Sequence, residues 1–330
     1  VEAIGGRTRI VRECYNPALE QQDIEFLLLE GFKSSYSNRQ VTWTDGDKAF
    51  SKPLGRWWIE HRLRRTYKTV TFLPGGDPDE ATLNLWSGFG VTPKEGCCDL
   101  FLQHLTDNVC HGYYESSAYL LGWMAYSVQN PGEQGPTAIV LRGKKGTGKG
   151  FFAHHFGKLW GRHYSAVTDP DHVTGKFNAT LKDAALIFAA ECFVPQNKRH
   201  ESAQKALITD PRIAIEMKGV DVKQWRNCVK LIMATNERWA VPASADERRV
   251  YVLDVGEHHL QDSKYFARIV EQLQEGGYEA LLHYLQNYDL SGFDVRAAPR
   301  TKALRDQQQL SMLPEEEWIL TLLDEGVLPN

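Results

Sequence analysis

A short β-branched run ends directly in a glycine-rich loop, and this junction constrains the fold more than any other feature of the chain. Residues 137–143 read TAIVLRG and continue as GKKGTGKG through residues 143–150. Gly143, Gly148 and Lys149 have the spacing of loops whose backbone N–H groups cradle phosphates. A helix that begins at the end of such a loop directs its positive end at the anion. The junction therefore predicts a strand, a phosphate-binding loop and a helix in succession.

ATP and Mg²⁺ are the ligands expected at this loop. Lys149 is expected to reach the β and γ oxygens of ATP. Gly150 departs from the usual pattern, because Ser or Thr at that position would offer a hydroxyl to Mg²⁺. Water can replace this ligand and Thr147 is a weaker candidate, so the metal ligands stay open. The predicted nucleotide-binding residues are Gly143, Lys144, Lys145, Gly146, Thr147, Gly148, Lys149 and Gly150.

The pattern along the chain predicts an α/β fold with a parallel central sheet flanked by helices. Residues 116–256 alternate short apolar runs with helical stretches. Residues 1–115 mix aromatic segments with turn signals and are predicted to form a separate mixed and helical region. Residues 257–330 are predicted to be helical, with a last helix around Trp318 after a polar linker that carries Pro299. The predicted strands are apolar on both faces, as buried parallel strands are, and cover residues 137–143, 164–168, 185–191, 230–236 and 248–255.

Two polar side chains end predicted strands of the core. Glu191 closes the strand at residues 185–191 and Asn236 closes the strand at residues 230–236. Because the carboxyl ends of parallel strands meet at one edge, both are expected beside Lys149. Glu191 is a candidate to orient or deprotonate the attacking water, and Asn236 to sense the γ-phosphate. An ordinary charge at a strand end is the alternative for Glu191, and the preceding Ala190 offers no carboxylate to a metal.

Two arginines open the last predicted strand. Arg248 and Arg249 follow the loop ERWAVPASADE. An arginine here could reach the nucleotide of a neighbouring subunit and stabilise the charge of the transition state. A surface salt bridge is the alternative for each.

A basic hairpin is predicted at residues 213–228, between the strands that end at Glu191 and Asn236. Its candidate DNA-binding residues combine positive charge, which contacts phosphates, with an aromatic ring on which a base can stack. A purely structural hairpin with solvated lysines is the alternative. The candidates are Lys218, Lys223, Trp225 and Arg226.

With these motifs in order, the chain resembles the superfamily 3 helicases of the AAA+ class, in particular the helicase part of phage and prophage primase-helicases. Further segments carry the likeness in the same order, namely LNLWSG (83–88), VQNP (128–131), IEMKGVD (215–221), TNERWAVP (235–242) and DERRVYVLDV (246–255). The resemblance covers the chain from about residue 40 onward.

The resemblance implies an AAA+ type P-loop ATPase fold, with Lys149 in the Walker A element, Glu191 as the catalytic acid and Asn236 as the sensor. It also implies that Arg248 or Arg249 is the arginine finger, and that the hairpin is a pore loop that grips single-stranded DNA inside a hexameric homo-oligomer. A fused primase or primase-polymerase is expected upstream. This expectation agrees with a chain that begins VEAIGG without Met.

Composition limits the remaining alternatives. The net charge of −4 gives no global positive field, so any DNA contact is expected to be local. The longest nearly apolar run, residues 118–128, is shorter than the roughly 18–20 residues of a membrane span and predicts a buried helix. Six cysteines without a CxxC pair indicate reduced thiols in a cytosol, the host cytoplasm for a viral protein. The alternative is a zinc site, although its spacing matches no common pattern, formed by Cys97, Cys98, Cys110 and His111.

The sequence thus predicts an ATP-driven replicative DNA helicase that translocates on single-stranded DNA and hydrolyses ATP at subunit interfaces. One alternative is a nucleotide-dependent DNA-binding module or loader that does not unwind the duplex. The other is a P-loop kinase, which would have no use for a basic hairpin or a sensor asparagine.

Overall fold

The structure is a computed structural model that describes residues 8–17, 21–169, 178–192, 198–216, 222–237 and 247–312, together with 315, 318–319 and 322–323. Its first part contains paired short strands and short helices, as the mixed composition of the region predicts. Strands β1 and β2 pair antiparallel, β3 and β4 pair antiparallel, and β5 and β6 pair parallel. The bounds are β1 (Arg9–Asn16), β2 (Gln21–Leu28), α1 (Leu29–Ser35), β3 (Gln40–Asp45), β4 (Lys48–Pro53), α2 (Leu54–Glu60), β5 (Thr69–Thr71), β6 (Thr82–Asn84) and α3 (Asp99–His104).

The core contains the predicted parallel sheet. Its elements in chain order are α4 (Tyr114–Gln129), β7 (Ala138–Arg142), α5 (Lys149–Lys158), β8 (Tyr164–Val167), β9 (Leu186–Ala190), α6 (Lys198–Thr209), β10 (Arg212–Ile215), β11 (Lys223–Arg226), β12 (Lys230–Thr235) and β13 (Val250–Asp254). Five of these strands form one sheet in the order β13-β7-β12-β9-β8, and every neighbouring pair is parallel. Each predicted core strand contains one of the observed strands, so the α/β prediction is confirmed.

The sheet is buried because each strand supplies apolar side chains to both faces. In β7, Ile139 and Leu141 face one core cluster, whereas Ala138 and Val140 face the other, as the two-residue period of a strand requires. Trp123 of α4 packs in the first cluster, together with aromatic side chains of α5. Apolar residues of α6 pack in the second. The sheet therefore lies between two helical layers, and the loops that connect its strands to the helices lie at its two edges.

Helices follow the sheet. They are α7 (Ser263–Gln272), α8 (Tyr278–Gln286) and α9 (Lys302–Leu310). The amphipathic prediction over residues 265–285 is confirmed, with a wide turn at Leu273–Gly277 between α7 and α8. The predicted polar linker is wrong in part, because α9 forms there and buries Ala303 and Leu304 in the second core cluster. Beyond it, residues 315, 318–319 and 322–323 are helical, in agreement with the helix predicted around Trp318.

The structure bears on two points raised by composition, the long apolar run and the alternative of a zinc site. Residues 118–128 lie within the mostly buried α4, as predicted. No helix in the described part of the chain is long and apolar enough to cross a membrane. The four side chains of the zinc alternative are all described, and no group of three or more His, Cys, Asp or Glu residues able to hold a metal occurs among the described residues.

Candidate nucleotide-binding site

The glycine-rich loop connects β7 to α5, and two of its glycines adopt a backbone conformation that other residues disfavour. Gly146 and Gly148 have φ of +89° and +98°. A Cβ at Gly146 would lie 2.9 Å from Cγ of Gln261, and one at Gly148 would lie 3.1 Å from the ring of Phe266. Glycine is therefore required at both positions for its positive φ and for the close approach of Gln261 and Phe266, just before and at the start of α7.

Residues distant in sequence hold the loop in place. The side-chain amide of the buried Asn108 donates to the carbonyl of Thr147 at 2.7 Å. The backbone N–H of Gln261 donates to the carbonyl of Gly146 at 3.1 Å. Within the loop, the Thr147 hydroxyl donates to the carbonyl of Lys144 at 2.9 Å. The loop is thus fixed before any ligand binds, which lowers the entropic cost of binding.

Lys149 begins α5 and turns its side chain back into the loop. Its Nζ donates to the carbonyls of Gly143 and Lys144, at 2.5 and 2.8 Å, and to Oδ1 of Asn236 at 2.8 Å. Burial lowers the pKa of Lys149, and the negative charge of Glu191 acts in the opposite direction. The amine is held by three oxygens, and the residue as a whole is only 7% exposed.

Glu191 directly follows β9 and lies at the same edge of the sheet. Its backbone N–H donates to the carbonyl of Ala234 on the neighbouring β12, at 2.9 Å, and its φ is +54°. One carboxylate oxygen lies 3.4 Å from the backbone N–H of Asn236 and 3.4 Å from the hydroxyl of Thr235. Asn236 thus connects Lys149 to Glu191, and the structure brings the two side chains predicted at strand ends together with the lysine of the loop.

These side chains open on a cleft of about 570 Å³, a volume within the usual range for small-ligand and cofactor sites. The glycine-rich loop and the aromatic ring of Phe266 both contribute to its lining. The lining includes Lys149, Gly150, His154, Glu191, Asn236 and Phe266.

The arginine pair lies at the opposite edge of the sheet. Arg248 and Arg249 precede β13, which is parallel to β7, so they lie at the amino ends of the strands. The five-residue β13 separates this edge from the cleft by about 16 Å. Nε and Nη2 of Arg249 each donate to the carboxylate of Glu247 at 2.9 Å. Arg248 is exposed and makes no ion pair in the described part of the chain.

The hairpin also begins at this opposite edge. Strands β10 and β11 pair antiparallel as predicted, with Lys223 opposite Ile215. Trp225 is partly buried and packs against both core clusters, and Arg226 forms an exposed ion pair with Glu133 at 2.8 Å. The predicted turn and Lys218 lie outside the described residues.

Several residues of the cleft were missed in the sequence. Asn108 and Gln261 contact the loop across long stretches of chain, and no local pattern marks them. Phe266 belongs to an amphipathic helix, which predicts packing but not a place in the cleft. His154 had a usable signal, because it lies four residues after Gly150 and therefore on the same face of α5.

Comparisons with known proteins agree with this architecture. Residues 141–249 match the sequence family described as a family of unknown function, DUF5906. The chain is 24% identical over 143 residues to the DNA primase-polymerase of Nitratiruptor phage NrS-1, which covers 42% of this chain and 20% of that protein. It therefore spans about a fifth of the length of this curated relative.

Solved structures of the NrS-1 C-terminal region share the fold. An apo structure of that region has a TM-score of 0.71 at 16% identity and covers 97% of this chain and 80% of that chain. An A-form apo structure has a TM-score of 0.71 at 18% identity and covers 96% and 79%. The chain is therefore homologous to part of a phage primase-polymerase, and it has the fold of that protein's C-terminal region.

Proposed function

We propose that the cleft at the carboxyl edge of the sheet binds and hydrolyses ATP. The observation that carries this proposal is the connected set of Lys149, Asn236 and Glu191 beside a glycine-rich loop. The loop N–H groups and the start of α5 attract the phosphates. Lys149 neutralises the β and γ oxygens, and Glu191 orients and deprotonates the water that attacks the γ-phosphoryl group.

ATP binding exchanges the partners of Lys149. The γ-phosphate competes with Gly143, Lys144 and Asn236 for the ammonium group. When Lys149 turns to the phosphate, the Asn236 amide becomes available to the γ-phosphate or to the attacking water. A change in the occupancy of the cleft therefore changes the contacts at the end of β12. Asn236 follows this strand in the chain, and the basic hairpin precedes it.

Mg²⁺ bound with ATP would neutralise charge on the transferred phosphoryl group, and the residues of the cleft decide how it would be held. The protein donors are few, since Gly150 has no hydroxyl, Ala190 has no carboxylate and the Thr147 hydroxyl is used within the loop. Glu191 is the one carboxylate among the described residues that line the cleft. These residues fit a hydrated cation that is held mainly by the phosphates, a mode that Mg²⁺ favours.

The wider role that follows is ATP-driven helicase action in phage DNA replication in the host cytoplasm. Homology to a phage DNA primase-polymerase supports a DNA-related role. Single-stranded DNA is the proposed track, with the hairpin residues Lys218, Lys223, Trp225 and Arg226 as its contacts. A primase or primase-polymerase upstream and a hexameric ring complete this proposal.

A second subunit completes the proposed site. An arginine at the amino edge of the sheet is too far from the cleft of its own chain, so it can act only on the nucleotide of a neighbour. Arg248 is the better candidate for this finger, because its guanidinium is exposed while Arg249 is held by Glu247.

A DNA-stimulated ATPase assay tests the central proposal. ATP turnover is measured with and without single-stranded DNA for the wild type, Lys149→Ala and Glu191→Gln, with Lys158→Ala as a control at the exposed far end of α5 and the oligomer mass measured in parallel. We expect Lys149→Ala to lose ATP binding and Glu191→Gln to bind ATP without hydrolysing it. Turnover without any response to DNA would contradict the helicase proposal, and full activity of Glu191→Gln would contradict the site.

Strand displacement separates the helicase from a loader. The missing hydroxyl at Gly150 and carboxylate at Ala190 favour the loader, since a weakly held cation suits slow turnover. A tailed fluorescent duplex opens with ATP if the chain is a helicase. DNA-stimulated turnover with a duplex that stays closed would favour the loader.

Mixed subunits test the arginine. Arg248→Ala and Glu191→Gln are each expected to be inactive alone. Mixing them creates interfaces that combine an intact Glu191 with an intact Arg248, so ATP turnover should reappear. No recovery in assemblies whose mass shows that the two variants have mixed would refute a finger supplied by the neighbour.

A further inference from the structure

The ring of His154 lies beside Gly150, next to the space that a side chain at residue 150 would occupy. Residues four apart lie on the same face of a helix, and helical side chains point back toward the amino end. His154 therefore points back along α5 toward the loop. A Cβ at Gly150 would lie 3.8 Å from Cδ2 and 3.9 Å from Nε2 of His154. Both residues line the proposed nucleotide cleft together with Glu191.

Two aromatic neighbours fix the orientation of this imidazole. Nδ1 of His154 lies 2.8 Å from the hydroxyl of Tyr164, and the ring meets Phe188 edge to face, with centroids 5.3 Å apart. A tyrosine hydroxyl can accept a hydrogen bond from Nδ1–H, and in that tautomer the free lone pair is on Nε2. Metal-binding histidines are commonly oriented by such a bond from the other ring nitrogen.

The charge of the ring suits a ligand. Burial lowers the pKa of His154, and the nearby Lys158 lowers it further. Neutral imidazole is the form of histidine that binds metal ions. His154 is exposed to the cleft, so its ring is accessible from the side on which the phosphates would lie.

We propose that Nε2 of His154 binds the divalent cation that enters with the nucleotide, in place of the hydroxyl missing at Gly150. This inference rests on the proposed nucleotide site. Imidazole suits transition metals better than Mg²⁺, which prefers oxygen. The site is therefore selective for Co²⁺ over Mg²⁺, relative to a loop with a hydroxyl at this position.

Pulsed electron paramagnetic resonance of Mn²⁺ tests the ligand directly. The full chain is loaded with Mn²⁺ and ADP, and the spectrum is examined for the nitrogen coupling of a bound imidazole. We expect this coupling in the wild type and in His155→Gln, whose ring bonds to Tyr278 instead. We expect His154→Gln to lose the coupling and to bind Mn²⁺ in the presence of ADP at least about tenfold more weakly.

A second pair of variants tests the exchange of hydroxyl for imidazole. Gly150→Ser and Gly150→Ala both fit, because no atom lies nearer than 3.8 Å to the added Cβ. Titration calorimetry with ADP should show that Gly150→Ser binds Mg²⁺ about tenfold more tightly than Gly150→Ala. Equal Mg²⁺ affinities of the two variants would show that a hydroxyl at residue 150 does not reach the cation, and would overturn the proposal that His154 takes its place.

Binding of a fluorescent ADP analogue, measured both with Mg²⁺ and in EDTA, separates the two levels of inference. If the wild type does not bind this analogue under either condition, both the nucleotide site and the metal ligand are refuted. If it binds but the Mn²⁺ spectrum contains no imidazole coupling, or the coupling persists in His154→Gln, only the metal ligand is refuted.

Discussion

Removal of the Asn236 side chain should slow ATP hydrolysis without weakening ATP binding. Its Oδ1 accepts a bond from the Lys149 ammonium at 2.8 Å in the free protein. A hydrogen bond to a charged group contributes about 1.5–3 kcal/mol. This bond is made before ATP arrives, so its loss destabilises the free state, and the affinity for ATP should stay equal or rise.

The effect on turnover has the opposite sign. Once Lys149 has moved to the γ-phosphate, the freed amide holds the attacking water beside Glu191. If one such contact of about 1.5–3 kcal/mol is lost in the transition state, kcat falls by roughly 10- to 100-fold. Asn236→Ala is therefore expected to reduce kcat while the Kd for ATP changes little.

The assay measures both quantities and the coupling to DNA. Single-turnover hydrolysis gives the rate of the chemical step, a fluorescent ATP analogue gives Kd, and strand displacement per ATP gives the coupling. Asn287→Ala is the matched control, because Asn287 is exposed on the C-terminal helices and donates only to His283. A tenfold weaker Kd with unchanged kcat would refute this reasoning, and so would fully coupled movement on DNA at the wild-type rate.

Three further predictions concern the scaffold of the site. Asn108→Ala removes the bond to the buried Thr147 carbonyl, so urea denaturation should show a loss of about 1–3 kcal/mol, and ATP binding should weaken. Lys230→Met leaves four backbone carbonyls without the amine that bonds to them, so the unfolding free energy should fall by about 3 kcal/mol or more; an unchanged value would contradict this role. Burial lowers the pKa of His163 from 6.5 to about 4, and its Nε2 accepts the Ser87 N–H. Between these pH values the unfolded chain binds a proton at His163 that the folded chain does not bind. Stability is therefore lost as the pH falls, by about 1–2 kcal/mol at pH 5. In urea denaturation, His163→Asn should reduce this dependence of the unfolding free energy on pH.

The sheet was predictable because four of its strands, β7, β9, β12 and β13, are mostly buried on both faces, while only the edge strand β8 is partly exposed. A strand such as β12 is a continuous apolar run that ends at a polar residue, and this pattern needs no tertiary information. Glu191 and Asn236 could be placed together for the same reason, since parallel strands end at one edge. The placement of Glu191 beside Asn236 therefore follows from local sequence and one rule of topology, whereas the contacts of Asn108, Gln261 and Phe266 with the loop do not.

The elements that were missed lack a local signal. Strands β3 and β4, the antiparallel pair in the first part of the chain, are largely exposed. Their Trp43 and Phe50 side chains pack on each other rather than in a core. In α9 only Ala303 and Leu304 are buried apolar residues, and Gln307 is buried as well, so its sequence resembles a polar linker. Tertiary packing decides these segments, and a pattern based on apolar periodicity does not detect them.

The direction of the sheet limits what one chain can do. The cleft lies at the carboxyl ends of the strands, and both Arg248 and the base of the hairpin lie at the amino ends. A rigid five-residue strand does not bend to bring these edges together, so a single subunit cannot place its own arginine on its own phosphates. A neighbour that sets its amino edge against this cleft satisfies the proposed chemistry. In such an assembly Asn236 and the hairpin stay joined through β12, so a change at one nucleotide would be passed to DNA by the same subunit that binds it.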